Sequence, residues 1–168
     1  MIKKSVPPPA AFLWRHPAHL IACGFGSGLS PVAPGTAGTL FAWLSFPLLR
    51  ILFPDDSGLA LFLVLAFALG ITACQITGRA LGVVDHGSIV WDEVVPFWMV
   101  LLLTPSGLFW QLVAFLSFRF YDIVKPPPAR YFDTQVKNGF GVMMDDLCAA
   151  AYTVLTLALL KSLVDRLF

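Results

Sequence analysis

Charge is scarce in this chain of 168 residues, of which only 12% are Asp, Glu, Lys or Arg, whereas soluble proteins average roughly a quarter. The net charge of +1 provides no basic surface, which argues against nucleic-acid binding. The three cysteines form no CxxC or Cys/His pattern, so we interpret them as small buried apolar side chains. The N-terminal residues lack the apolar run and cleavage pattern of a signal peptide, and we predict none.

Apolar residues dominate instead, at 58% of the chain with a mean hydropathy of +0.80, which predicts a membrane protein. A turn at Thr104 to Gly107 separates two of the apolar stretches. We therefore predict an all-α fold, a compact membrane-embedded bundle of about five apolar helices with polar loops on one face. The predicted apolar segments are residues 39–53, 59–77, 94–103, 108–120 and 147–164.

The distribution of Lys and Arg predicts the orientation, because cytoplasmic loops are enriched in these residues. Five embedded helices with the N-terminus inside leave only Arg50, Lys161 and Arg166 outside. A single span over residues 94–120 would largely remove this asymmetry. The short helices could also be only partly inserted in the membrane. The basic residues predicted on the cytoplasmic side are Lys3, Lys4, Arg15, Arg79, Arg119, Lys125, Arg130 and Lys137.

Five of the ten carboxylates form clusters in this apolar chain, and the five-helix arrangement places them on one face. Bare negative charge is costly in apolar surroundings, so a cation between the carboxylates is expected. A hard divalent cation such as Mg²⁺ takes carboxylate, water and phosphate oxygens as ligands. The candidate ligands are Asp92, Glu93, Asp122, Asp145 and Asp146.

Each cluster also has a purely structural interpretation. Arg119, Asp122 and Lys125 are spaced by three residues, so they could form a surface salt-bridge ladder, or Asp122 could bind metal while the two cations bind phosphate. One residue of the Asp145 and Asp146 pair could be a helix N-cap.

Asp92 and Glu93 could be solvated first-turn acids, although Pro96 favours a kink or a helix start near them. The glycine-rich residues 24–28 could present N–H groups to phosphate or simply form a close-packed turn. His86 could act as an acid or base, but we expect a solvated loop histidine.

Five motifs occur in order along the chain: Gly24-Phe-Gly-Ser-Gly28, Pro34-Gly-Thr-Ala-Gly-Thr39, Asp85-His-Gly-Ser-Ile-Val-Trp-Asp-Glu93, Phe118-Arg-Phe-Tyr-Asp-Ile-Val-Lys-Pro126 and Gly141-Val-Met-Met-Asp-Asp146. Taken together, they resemble the phosphatidylglycerophosphatase A family over about His19 to Tyr152. The resemblance implies an all-helical enzyme of the bacterial cytoplasmic membrane. Such an enzyme hydrolyses phosphatidylglycerophosphate to phosphatidylglycerol and phosphate with Mg²⁺, with its site facing the cytoplasm.

The resemblance also implies residue roles. Asp92, Glu93, Asp122 and Asp146 become catalytic candidates, and these four with Asp145 become metal ligands. Thr36, Arg119 and Lys125 become phosphate contacts, with either water or an aspartate as the nucleophile.

The predicted organisation is a polar, proline-rich segment, 1–18, followed by a single domain, 19–168. The expected partners are a phospholipid substrate and the bilayer. Two alternatives are a phosphatase of another lipid or soluble phosphomonoester, and a small cation transporter. A transporter would have acids spread through the membrane depth.

Overall fold

The computed structural model describes residues 6–167, so Lys3 and Lys4 lie outside the described part of the chain. All regular elements within these residues are helical. Two 3-10 stretches, Ala10–Arg15 and Gly24–Leu29, flank the first α-helix. The α-helices in chain order are α1 (Pro17–Ala22), α2 (Pro34–Leu52), α3 (Asp56–Leu81), α4 (Trp91–Leu103), α5 (Leu108–Val124), α6 (Ala129–Gln135) and α7 (Gly139–Leu167).

The predicted all-α fold with five apolar helices is confirmed by α2, α3, α4, α5 and α7. Of these, α2, α3 and α7 are long and apolar enough to cross a membrane. With 13 and 17 residues, α4 and α5 are shorter than the roughly 20 residues of a full span. The predicted turn separates them, and Gly107 adopts a φ of 112°, a conformation that favours glycine.

Helix α7 begins at Gly139, whereas the apolar pattern predicts a start at Leu147. The Asn138 side chain accepts a hydrogen bond of 3.0 Å from the Gly141 N–H group and so caps the helix. A Cβ at Gly141 would lie 1.8 Å from the Val136 carbonyl oxygen, so the tight approach requires glycine. Because Asp145 and Asp146 follow well inside the helix, the N-cap interpretation of this pair is wrong.

Helix α4 is the central element, packed against α2, α3 and α7. The indole Nε1 of Trp98 donates to the Ala42 carbonyl at 2.9 Å, and that of Trp91 donates to the Ala66 carbonyl at 3.1 Å. Asp92 and Glu93 occupy the first turn, where the sequence predicts a helix start or a kink. They are buried, which excludes the interpretation as solvated acids. The fold thus carries two carboxylates into its interior.

Large apolar side chains cover the outside of the longer helices. Leu44 of α2, Leu61 of α3, Leu116 of α5 and Leu159 of α7 are all more than half exposed. Such outward apolar faces are typical of helices surrounded by lipid. The protein is therefore associated with a membrane.

The cysteine prediction agrees with the structure. Cys23 and Cys74 are buried, Cys148 is half-buried, and all three are free. Cys23 packs with Phe12 and Leu13 of the 3-10 stretch at Ala10–Arg15, which joins that stretch to α1.

Candidate active site

A cavity of about 960 Å³ opens at one end of the bundle, where the loops meet the first turns of α2 and α4 and the end of α5. Helix α7 contributes Asp146, and the loop between α3 and α4 contributes Asp85 and His86. The cavity is lined by four of the five predicted acids and by the two basic residues predicted to bind phosphate: Asp92, Glu93, Asp122, Asp146, Arg119 and Lys125. Segments distant in sequence thus converge on one polar cavity.

Three of these carboxylates converge on one point. One oxygen from each of Asp92, Glu93 and Asp146 lies within 4.8 Å of the other two. Each residue also has a buried oxygen without a hydrogen-bond partner in the described structure: Asp92 Oδ1, Glu93 Oε2 and Asp146 Oδ1. Unpartnered buried carboxylates are costly, so this group is suited to hold a cation.

Arg119 lies beside this carboxylate group. Its Nη1 forms an ion pair with Asp122 Oδ2 at 2.6 Å, approaches Glu93 Oε1 at 3.6 Å and donates to Thr39 Oγ1 at 3.3 Å. The side chain of Arg119 is only 15% exposed, so this is not a surface contact. The arrangement fixes a guanidinium, a group suited to phosphate oxygens, at the edge of the acids.

Lys125 does not continue a ladder along α5. It is the C-cap residue, with a φ of 48°, and its side chain leaves the helix face. Its Nζ pairs instead with Asp145 and, at 3.3 Å, with Asp133 Oδ1 of α6. Of the predicted surface ladder, only the Arg119–Asp122 pair forms, and it is largely buried. Burial alone would lower the pKa of Lys125, but Asp145 and the neighbouring Asp146 and Asp133 raise it above its usual range, so the ammonium stays charged.

The first turn of α2 forms another wall of the cavity. A Cβ at Gly35 would lie 2.2 Å from Glu93 Oε1 and 3.1 Å from Arg119 Nη2. Only glycine therefore allows these two side chains to approach the helix. Thr36, the predicted phosphate contact, is half-buried and does not belong to the described lining of the cavity. Thr39, one turn later, is the threonine that contacts Arg119.

The loop between α3 and α4 brings His86 to the cavity. His86 is 7% exposed, and its Nδ1 accepts a hydrogen bond of 3.1 Å from the Ser88 N–H group. Burial lowers the pKa of His86, an effect that Asp85 partly opposes. The expectation of a solvated histidine is thus wrong, and His86 lines the site as a buried imidazole.

The glycine-rich residues 24–28 form a close-packed turn. A Cβ at Gly28 would lie 2.2 Å from the Ser88 carbonyl oxygen, and one at Gly24 would lie 2.8 Å from Val90 Cγ2. These glycines hold the loop that leads into α4, while the following Ser30 and Pro31 reach the cavity. Of the two interpretations of this loop, close packing is the one that the geometry supports.

Some site residues carry no clear sequence signal. Asp133 lies on the short helix α6 and meets Lys125 only through the fold. Gly35 and Thr39 belong to the Pro34 to Thr39 motif, but spacing does not show which of its residues face the cavity. The roles of the predicted site residues remain predictions, although the structure gathers all of them except Thr36 around the cavity or its lysine.

Comparisons with known proteins give the family. A model of phosphatidylglycerophosphatase A matches residues 20–161. The chain is 50% identical to the phosphatidylglycerophosphatase A of Haemophilus influenzae over 145 residues. This match covers 83% of this chain and 86% of the relative. It is 45% identical over 136 residues to the phosphatidylglycerophosphatase A of Escherichia coli, covering 80% and 77% of the two chains.

A third relative, from Bacteroides thetaiotaomicron, carries a provisional name as a phosphatidylinositol-3-phosphatase. It is 40% identical over 149 residues, covering 84% of this chain and 92% of that one. No solved structure matches the chain significantly. The family model and the two named relatives extend over most of the sequence, so this chain belongs to the phosphatidylglycerophosphatase A family.

Proposed function

We propose that this protein hydrolyses the terminal phosphate of phosphatidylglycerophosphate at the cytoplasmic surface of a bacterial inner membrane, with a divalent cation such as Mg²⁺ bound in the cavity. Membership of the family makes it a phosphatase that acts on this lipid. The observation that carries the cation proposal is that one oxygen from each of Asp92, Glu93 and Asp146 lies within 4.8 Å of the other two, and that each of these residues has a buried oxygen without a hydrogen-bond partner in the described structure.

The residues present fit a hard cation. Asp92, Glu93 and Asp146 offer only oxygen ligands, and Mg²⁺ usually completes its coordination with water and substrate phosphate. When bound, the cation neutralises phosphate charge and lowers the pKa of a coordinated water. Asp122 forms an ion pair with Arg119 beside the three carboxylates, so it either orients these ligands or binds the cation itself.

The protein groups then divide the remaining tasks. Arg119 binds the equatorial phosphoryl oxygens, whose charge increases toward the transition state. Lys125 holds Asp145 and keeps positive charge at the cavity wall. In this proposal Glu93, whose Oε1 approaches Arg119, accepts a proton from the attacking water. An aspartate nucleophile is the variant of this scheme, which a trapped phosphoenzyme would reveal.

The test is phosphate release from phosphatidylglycerophosphate by purified protein in mixed micelles, with Mg²⁺ or with a chelator. We expect release with Mg²⁺ only, and loss of release in Asp92→Asn, Asp122→Asn and Asp146→Asn proteins that still insert into membranes. Near-normal turnover in all three variants would contradict the metal assignment. Asp165→Asn, in an exposed ion pair with Lys161 near the end of α7, is the control.

A second lipid phosphate is worth testing, because the Bacteroides relative carries a phosphoinositide phosphatase name. The same assay with phosphatidylinositol 3-phosphate and phosphatidic acid separates these substrates. Preference for either over phosphatidylglycerophosphate would change the assigned substrate and leave the site intact.

A further inference from the structure

The outer surface of α5 leads directly into the cavity. Leu112, Leu116, Arg119 and Ile123 follow one another at spacings of four, three and four residues, so they share one face of the helix. Leu112, Leu116 and Ile123 are 45%, 59% and 73% exposed. Arg119 turns inward to Asp122 and Thr39, and Ile123 also lines the cavity. An outward apolar stripe and the phosphate-binding candidate thus share one helix face.

The other cavity-lining helices lack this continuity. On α3, Leu81 lines the cavity, and the preceding residues on its helix face, Thr77, Cys74 and Gly70, are all buried. On α7, the residues that follow Asp146 on its face, Ala149, Ala150 and Thr153, are buried as well.

Helices α2 and α4 differ from α5 in the same way. On α2, the residues on the same face as Gly35 are Thr39, Ala42 and Leu49, all buried. The exposed Leu48 lies on the face of Pro34, but the partly buried Phe41 separates the two. On α4, Pro96, Phe97 and Val100 follow the two acids and are buried.

We propose that the acyl chains of the phospholipid substrate lie along this α5 stripe, so that the lipid reaches the cavity sideways from the membrane, past Ile123. This inference rests on the proposed function. From Arg119 back to Leu108, α5 extends for eleven residues, or about 16 Å, close to the roughly 15 Å depth of one leaflet. A phosphate at Arg119 would therefore leave its chains beside Leu116 and Leu112, without removing them from the bilayer.

A direct test uses a phosphonate analogue of phosphatidylglycerophosphate with a photoactivatable diazirine in one acyl chain, bound to the full-length protein in nanodiscs. We expect the probe to label Leu112, Leu116 and their neighbours, and we expect an excess of unlabelled phosphonate to abolish this labelling. Labelling of Leu40 and Leu44 on α2 should persist, because bulk lipid contacts them. Competitor-sensitive labelling on α2 or α3 instead of α5, or equal sensitivity on all faces, would overturn the proposal.

Substitutions provide an independent measurement. We expect Leu116→Asn to lower the ratio of kcat/KM for dioleoyl over dihexanoyl phosphatidylglycerophosphate by about tenfold, since a polar group disrupts the apolar path. The matched variant Leu65→Asn, at a site on α3 that is 56% exposed, should keep the wild-type ratio. Equal ratios in both variants would refute the α5 path, whereas failure to hydrolyse either lipid in the wild type would refute the proposed function instead.

Discussion

Arg119 Nη1 lies 3.3 Å from the hydroxyl oxygen of Thr39, a residue with no solvent exposure. The same hydroxyl donates a hydrogen bond of 2.9 Å to the Gly35 carbonyl, so its lone pairs are directed to the guanidinium. Thr39 thus links the first turn of α2 to the guanidinium of Arg119 on α5. Together with Asp122, which pairs with the same nitrogen, Thr39 fixes where Arg119 presents its remaining N–H groups.

Replacing this hydroxyl should therefore weaken phosphate binding in the transition state. We expect Thr39→Val, which keeps the side-chain volume, to lower kcat/KM by about tenfold, the size of one hydrogen bond to a charged group. Thr39→Ser should retain most of the activity, because it retains the acceptor. Phosphate-release kinetics measure the effect, and equal losses in both variants would indicate a packing role for the methyl group.

Gly35 gives a second, steric prediction. In Gly35→Ala the new Cβ would meet Glu93 Oε1 at 2.2 Å, so either the carboxylate or the helix must move. We expect a loss of at least about tenfold in kcat with little loss of helix stability, because alanine is the better helix former. Gly58→Ala is the control, since its Cβ would meet only the exposed carboxylate of Asp55 at the start of α3. Full activity of Gly35→Ala would show that the site tolerates displacement of Glu93.

The five longer helices follow from the sequence because long apolar stretches and a Pro-Gly turn are local signals. Helix ends depend on tighter contacts. The start of α7 required the Asn138 cap and the approach of Gly141 to Val136, so the apolar pattern placed it too late. The pattern also missed the short helices α1 and α6, which carry no long apolar run.

The site could be predicted as a set of acids but not as a set of pairs. Residue type and clustering suffice to nominate Asp92, Glu93 and Asp146, because bare charge needs compensation in an apolar chain. Which acid faces which cation depends on backbone geometry. The left-handed C-cap at Lys125 turns its ammonium away from Asp122 toward Asp145, and helical spacing does not reveal this.

The pair of Lys125 and Asp145 predicts a stability effect separate from catalysis. The Asp145 side chain is only 3% exposed, so Lys125→Met would leave a buried carboxylate with no ammonium partner. We expect a loss of roughly 3 kcal/mol in the free energy of unfolding. The double variant Lys125→Met/Asp145→Asn should recover much of it, because the charge is removed as well. Denaturation in mixed micelles measures the free energy of unfolding of the single and double variants. Additive losses would show that the two groups are not energetically coupled.

The proposed cation should also affect stability, since three converging carboxylates repel one another unless a cation neutralises them. We expect Mg²⁺ to raise the Tm of the wild-type protein over that in chelator, because a ligand that binds the folded state stabilises it. Asp146→Asn should lose most of this shift and have a higher Tm than the wild type in chelator, since one repelling charge is gone. Asp165→Asn, which changes an exposed acid outside the cavity, should show the wild-type shift. A Tm that does not respond to Mg²⁺ in any of the three proteins would contradict cation binding by Asp92, Glu93 and Asp146 even if activity persists.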